Sequence, residues 1–275
     1  MLVLIKGAGD LATGVALRLW RAGISVVMTD LAQPTAVRRT VAFCQCIYDG
    51  TAAVEGVTAR RVDTREEIRS CLRRGEIPVR ADPEARLRTW FPFDAVVDAI
   101  LAKRNLGTRL EDAPVVVALG PGFTAGVDCH AVVETQRGHD LGRVITCGSA
   151  QPDTGIPGAV EGYTVERLIR AGQDGIFQPQ VRIGDLVTRG DVVARVDGAP
   201  VYAQISGRVR GMLPDGLRVR TGMKAGDIDP RCERDLCHTV SDKARAVGGG
   251  VLEALLALGA GGWNGRNGAW EQWNG

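Results

Sequence analysis

Net charge is almost absent from this sequence. Lys and Arg total 34 against 32 Asp and Glu, a formal balance of +2, and the nearest thing to a basic run is Arg69 to Arg74. That excludes the electrostatic footprint of a nucleic-acid or anionic-membrane binder. No stretch approaches the ~18 consecutive apolar residues of a membrane helix. The first apolar run, residues 2–6, enters a glycine loop directly, so no signal peptide is expected. Seven cysteines form an odd count without the spacing of a disulfide scaffold, and a reducing cytoplasm is the expected location. No G-x-x-x-x-G-K-[ST] loop and no serine nucleophile elbow is present. No metal site is expected. Cys44-x-Cys46 lies in a predicted helix, where its side chains diverge, and Cys232-x₄-Cys237-His238 lacks a second cluster. Aromatics are scarce at 5%, whereas glycine is abundant at 36 residues, which suits a chain that grips ligands with main-chain amides.

The chain alternates strand and helix signals through its first 172 residues. Leu2 to Lys6 reads as a buried parallel strand. A helix with apolar positions 11, 15, 19 and 22 follows and stops at Gly23, and Ile24 to Met28 is the next strand. A helix is predicted over 35–48, a strand over 54–62, and a capping-box helix from Thr64-x-x-Glu67 through Arg74. Residues 77–80, 95–102 and 114–119 are further strands. The pattern predicts an α/β fold: a Rossmann-like, doubly wound, mostly parallel sheet over residues 1–172. Residues 173–240 change texture to short strands cut by Gly-Asp turns, a small β domain similar to the barrel-sandwich domains of biotinyl and lipoyl carriers. Its corresponding turn, Val196 to Pro200, has no lysine, so neither biotin nor lipoate is expected. A helix over 241–258 contains Gly248-Gly249-Gly250, which implies close packing on the body. The Trp-rich tail, 259–275, reads as a flexible or partner-contact segment.

Three loops carry the candidate binding residues. Gly7-Ala8-Gly9-Asp10-Leu11-Ala12 is a G-x-G-x-x-A loop between strand and helix, with Asp30 at the end of the next strand. Gly7 permits the turn, Gly9 admits a pyrophosphate, Ala12 keeps the helix close, Asp10 opens it, and Asp30 suits a ribose diol. Gly120, Gly122 and Thr124 form a second glycine loop with the makings of an anion nest. Lys103, Arg104 and Asn105 end another strand and are expected at the same crevice, where parallel sheets bind their ligands. For acid–base chemistry the candidates are His130, Glu134, His139 and Arg143, a stretch that holds two of the three histidines.

Taken in order, "IKGAGDLATGVALRL", "DAILAKRNLGT", "ALGPGFTAGVDCHAVVETQRGHDLGRV", "TGIPG", "DIDPR" and "SDKARAVGGGVLEALL" resemble the selenium-dependent molybdenum hydroxylase system protein family, also called YqeB-like. The resemblance implies an accessory protein for maturation of molybdenum hydroxylases. Its ligand would be nucleotide-like, either NAD(P) or a pyranopterin dinucleotide, and its partners such a hydroxylase or its maturation proteins. A homo-oligomer is expected. An NAD(P)-dependent oxidoreductase and a non-catalytic scaffold stand as alternatives.

Overall fold

A computed structural model describes residues 1–263; the Trp-rich tail from residue 264 onward lies outside the described residues. The elements run β1 (Leu2–Lys6), α1 (Asp10–Arg21), β2 (Ser25–Asp30), α2 (Cys46–Asp49), β3 (Thr51–Val54), β4 (Val57–Arg61), α3 (Arg65–Arg73), β5 (Ile77–Ala81), β6 (Ala95–Asp98) and β7 (Val115–Leu119). Short strands β8 (Thr124–Ala125), β9 (Ala131–Val133), β10 (Val144–Ile145) and β11 (Gly148–Ser149) follow. The second part holds β12 (Leu168–Arg170), β13 (Gly175–Pro179), β14 (Leu186–Val187), β15 (Val192–Val196), β16 (Ala199–Tyr202), β17 (Gly207–Met212), β18 (Arg218–Val219), β19 (Lys224–Asp229) and finally α4 (Asp242–Ala257).

Val3, Leu4 and Ile5 are fully buried because β1 sits mid-sheet with apolar layers on both faces. The nine-stranded sheet has the order β10-β9-β7-β6-β1-β2-β5-β4-β3. It is parallel from β4 to β9, with β3 and β10 added antiparallel at the edges. Val3, Ile5, Met28, Val97 and Val117 face one apolar layer with α1 and α4. Leu4, Val27, Val96 and Val116 face the other, which α3 supplies through Ile68 and Cys71. No α-helix follows β6 or β7; loops and 3₁₀ turns make those crossovers, so helical cover is thinner than double winding predicts.

Two local expectations are corrected. The predicted helix at 35–48 is two 3₁₀ turns, Arg39–Val41 and Phe43–Gln45, and the one-turn α2. Its amides bond outward instead: Cys44 N donates to Ala8 O at 2.8 Å and Phe43 N to Thr13 Oγ1 at 2.8 Å. The predicted strand 54–62 is a hairpin, because Glu55 and Gly56 take φ of 46° and 82°, the left-handed pair of a tight hairpin turn.

Residues 168–229 build two antiparallel four-stranded sheets, β12-β19-β17-β14 and β16-β15-β13-β18, around a separate apolar cluster that includes Ile169, Phe177, Val193, Val209 and Ile228. β12 pairs with β19, so this unit already includes residue 168. Helix α4 then returns to the large sheet and lies against α1. A Cβ on Gly248 would come 2.9 Å from Gly14 O, and one on Gly14 would come 2.6 Å from Ala244 Cβ. Glycine at both positions lets the helix backbones approach this closely. Among the described residues no helix is long and apolar enough to cross a membrane.

Candidate functional site

The first glycine loop is closed by its own chain. Gly7 has φ of 97°, and a Cβ there would lie 2.8 Å from Ala99 O, so the glycine answers to a turn and to packing on the neighbouring strand end. Asp30 accepts from Ala8 N and from Leu31 N, both at 2.7 Å, which ties the loop to β2, and burial raises its carboxyl pKa. Gly9 faces Ala36, and Ala12 is buried in the α1 layer. Asp10, at the start of α1, accepts from Arg38 Nη1 at 2.8 Å; Arg38 Nη2 donates onward to Leu236 O and Thr239 O. The segment holding Arg38 is in turn fixed to the antiparallel unit, since Met212 N donates to Val37 O at 2.7 Å.

The second loop meets the 103–105 turn. A Cβ on Gly122 would come 2.5 Å from Arg104 N, and one on Gly120 2.5 Å from Thr135 Oγ1. Asn105 is committed to its own turn: Oδ1 accepts from Gly107 N and Thr108 N at 2.8 Å, and Nδ2 donates to Asp128 Oδ1. Thr124 lies in the β8–β11 ribbon, its hydroxyl 3.0 Å from Ser149 Oγ. Of these residues only Lys103 reaches the cavity described below; Arg104 is exposed.

The four acid–base candidates are dispersed. His130 accepts from Val116 N through Nδ1 at 3.0 Å. Glu134 is buried and holds three backbone amides, with Oε1 accepting from Thr135 N and Gln136 N and Oε2 from Gln151 N. His139 is exposed, and Arg143 pairs with Asp140 at 2.9 Å. None of the four lines the cavity; Glu134 shapes it by anchoring both residues 135–136 and residue 151.

That cavity, about 580 Å³, opens at the carboxyl edge of the parallel strands. Lys103 follows β6, Pro121 follows β7, and Thr135, Gln136 and Arg137 follow β9. The facing wall is Leu168 and Arg170 of β12, Lys224 of β19, and Lys243 in the first turn of α4. Residues 151–158, the segment with the TGIPG motif, run along its rim as a strap. Three ties hold it: Gln151 N to Glu134, Lys103 Nζ to Asp153 Oδ2 at 2.5 Å, and Arg167 Nη1 to Gly158 O at 3.0 Å.

Five cationic side chains line this space against one carboxylate, Asp153. Asp153 is neutralised by Lys103, which holds its pKa below the usual carboxylate range. Arg137 is neutralised by a bidentate pair with Asp242, at 2.6 and 2.9 Å. Arg170 and Lys224 are register partners across the β12–β19 pair, at a bulge, two like charges on neighbouring strands, with Arg170 Nη1 also donating to Gly222 O at 2.8 Å. Among the described residues neither Lys224 nor Lys243 has a carboxylate within 4.0 Å. Burial lowers the pKa of both lysines; the Arg137 guanidinium lowers that of Lys243 further. Lysine is also rare here, four residues against thirty arginines, and three of the four line this cavity. The fourth, Lys6, is buried against Asp98 at 3.4 Å. Sequence reasoning found Lys103 and missed Arg137, Arg170, Lys224 and Lys243, which lie far apart along the chain. Their signals were the rarity of lysine and the capped helix start at Ser241, whose Oγ accepts from Ala244 N. Among the described residues no cluster of three or more His, Cys, Asp or Glu side chains could hold a metal ion.

Comparison with known proteins gives one strong likeness. Over 257 residues, 94% of this chain, it is 55% identical to an Escherichia coli (strain K12) protein whose name is "Uncharacterized protein YqeB". To that protein the chain is similar over nearly its whole length. It spans about half of that relative, 48% of its length. No family model matches this chain. Among solved structures, an aspartoacylase family protein from Mesorhizobium loti is similar over 82% of this chain and 84% of that one, at 14% identity and a TM-score of 0.28. The ectoine utilization protein EutE from Ruegeria pomeroyi, in its product-bound structure, gives 12% identity and a TM-score of 0.25 over 82% and 84%. A succinylglutamate desuccinylase/aspartoacylase from Rhodobacter sphaeroides gives 17% and 0.25 over 82% and 84%. None of these names supports molybdenum hydroxylase maturation, a nucleotide-binding Rossmann fold or NAD(P)-dependent oxidoreduction, and those expectations are not carried further. At such low scores the likeness carries no substrate or reaction over to this chain.

Proposed function

We propose that this chain binds a small, multiply charged anion, a polycarboxylate or phosphate-bearing molecule, in the cavity between the large sheet and the antiparallel unit. The observation that carries the reading is the surplus of positive charge: Lys224 and Lys243 line a concave space without carboxylate partners, beside the like-charged Arg170. Lys243 is half-buried and Lys224 exposed; an ammonium partly withdrawn from water gains from an anion that replaces its lost hydration, and an exposed one beside it adds attraction. Thr135, Gln136 and Gln151 add neutral polar groups to the same wall. The glycine loops serve this site indirectly, by letting the turns at 103–105 and 120–122 pack backbone to backbone.

Titration calorimetry with citrate, inorganic phosphate and pyrophosphate tests the reading. At least one should bind the wild type, and Lys224→Ala should weaken that anion about tenfold or more, the effect of removing one charge-assisted contact. Binding should also weaken as ionic strength rises. Equal affinity of wild type and Lys224→Ala for every anion that binds would sink the assignment.

A further inference from the structure

The rarity of lysine points beyond simple charge. Thirty arginines meet this chain's other needs for positive charge, yet three of its four lysines converge on one cavity. A guanidinium holds an anion at least as well as an ammonium and more specifically. What an arginine cannot do is shed a proton and present a nucleophilic lone pair. A cavity that keeps lysines amid so many arginines is therefore built for amine chemistry as well as for charge.

Lys243 is the best placed of the three. Lys103 is spent on Asp153. Lys224 is the register partner of Arg170 on the neighbouring strand, and both line the cavity, available to a carboxylate. Lys243 lies in the first turn of the sixteen-residue α4, whose N-terminal partial charge opposes protonation of its amine. It is half-buried, and burial, with the Asp242-paired Arg137 beside it, lowers its pKa against the opposing carboxylates of Asp10, Glu134 and Asp153.

We infer that Lys243 forms an imine with the carbonyl group of a small oxo acid whose carboxylate is held by Lys224 and Arg170, an inference that rests on the anion-site reading above. The neutral Nζ attacks the carbonyl carbon. A C–N bond forms, and the carbonyl π pair moves to oxygen, which takes up a proton. The C–O bond of the carbinolamine then breaks, one water leaves, and the nitrogen lone pair completes the C=N bond. Amine plus carbonyl gives imine plus water, with no net oxidation or reduction.

Borohydride trapping of the full chain is the test. The protein is incubated with pyruvate or 2-oxoglutarate, reduced with sodium borohydride and mapped by peptide mass. The expected product is an increment on the Lys243 peptide equal to the oxo acid less one oxygen atom. It should be absent without oxo acid and absent in Lys243→Arg, which keeps the charge and is checked for folding by its thermal transition. With three other lysines in the whole sequence, the map is unambiguous. Citrate, which has no ketone or aldehyde carbonyl, serves as the separate readout of the anion site. If citrate binds but no adduct forms, or the adduct falls on Lys103 or Lys224 or persists in Lys243→Arg, the imine is wrong and the anion site stands. If citrate, inorganic phosphate, pyrophosphate and both oxo acids all fail to bind, the anion-site reading falls with it.

Discussion

Arg170 and Lys224 stand opposite each other in the β12–β19 register, two cations on neighbouring strands at the wall of one cavity. Like charges so placed repel by roughly 0.2–1 kcal/mol. Lys224→Gln should therefore raise the stability of the ligand-free protein while weakening anion binding. Urea denaturation with and without citrate measures both. A variant that loses stability in the absence of anion would show that the pair is merely structural.

The strap depends on Glu134, whose carboxylate collects the amides of Thr135, Gln136 and Gln151. Glu134→Ala leaves buried donors unpaired and should cost about 1–3 kcal/mol in urea denaturation. Glu134→Gln, which keeps one acceptor oxygen, should recover part of that. Because the strap borders the cavity, anion affinity should fall in the alanine variant as well.

The three consecutive glycines of α4 separate packing from propensity. A Cβ on Gly250 would lie 2.1 Å from Gly142 O and one on Gly248 2.9 Å from Gly14 O, whereas Gly249 has nothing within 4 Å. Gly249→Ala should stabilise the protein by up to about 1 kcal/mol through helix propensity. Gly248→Ala and Gly250→Ala should each destabilise it by about 1–3 kcal/mol or more, because backbone must move. Thermal melts of the three variants give the order directly.

The lowered pKa of Lys243 has a sign that can be read in two ways. Its ordinary value is 10.5, and burial and Arg137 depress it in the folded state. Between the folded and unfolded values the unfolded chain binds the extra proton, so ligand-free stability should rise with pH through that window. Anion affinity should fall over the same window, with a break below 10.5 as the ammonium discharges. In Lys243→Arg the break attributable to this residue should vanish; an unchanged profile would reassign the titration.

The sheet was legible because its strands are short apolar runs closed by glycine or aspartate, and hydrophobic periodicity survives whatever the strands pack against. Thr64 and Glu67 announced α3 by local chemistry, and the structure holds that capping box. The 35–48 segment was misread because apolar content and length suit a helix, while its amides are drawn off to Ala8 and Thr13 by tertiary contacts. Glu55-Gly56 was passed over because a glutamate at positive φ is an uncommon hairpin residue. What the G-x-G-x-x-A pattern could not reveal are the loop's ties within the chain, Ala8 N donating to Asp30 and Arg38 donating to Asp10. The cationic cavity was out of reach, since its walls come from seven stretches of chain between residues 103 and 243 that no local spacing connects.

Helix α4 joins residues 242–257 to α1 near the opposite end of the described chain, and it brings Lys243 with it. Synthesis is vectorial, so on the ribosome the parallel sheet emerges with the apolar face around Val15 and Leu19 lacking the partner that α4 supplies. The nascent chain must hold that face shielded or dynamic until more than two hundred further residues have been added. The same late segment completes the cavity with Lys243 and covers α1, so a chain stalled before α4 lacks both.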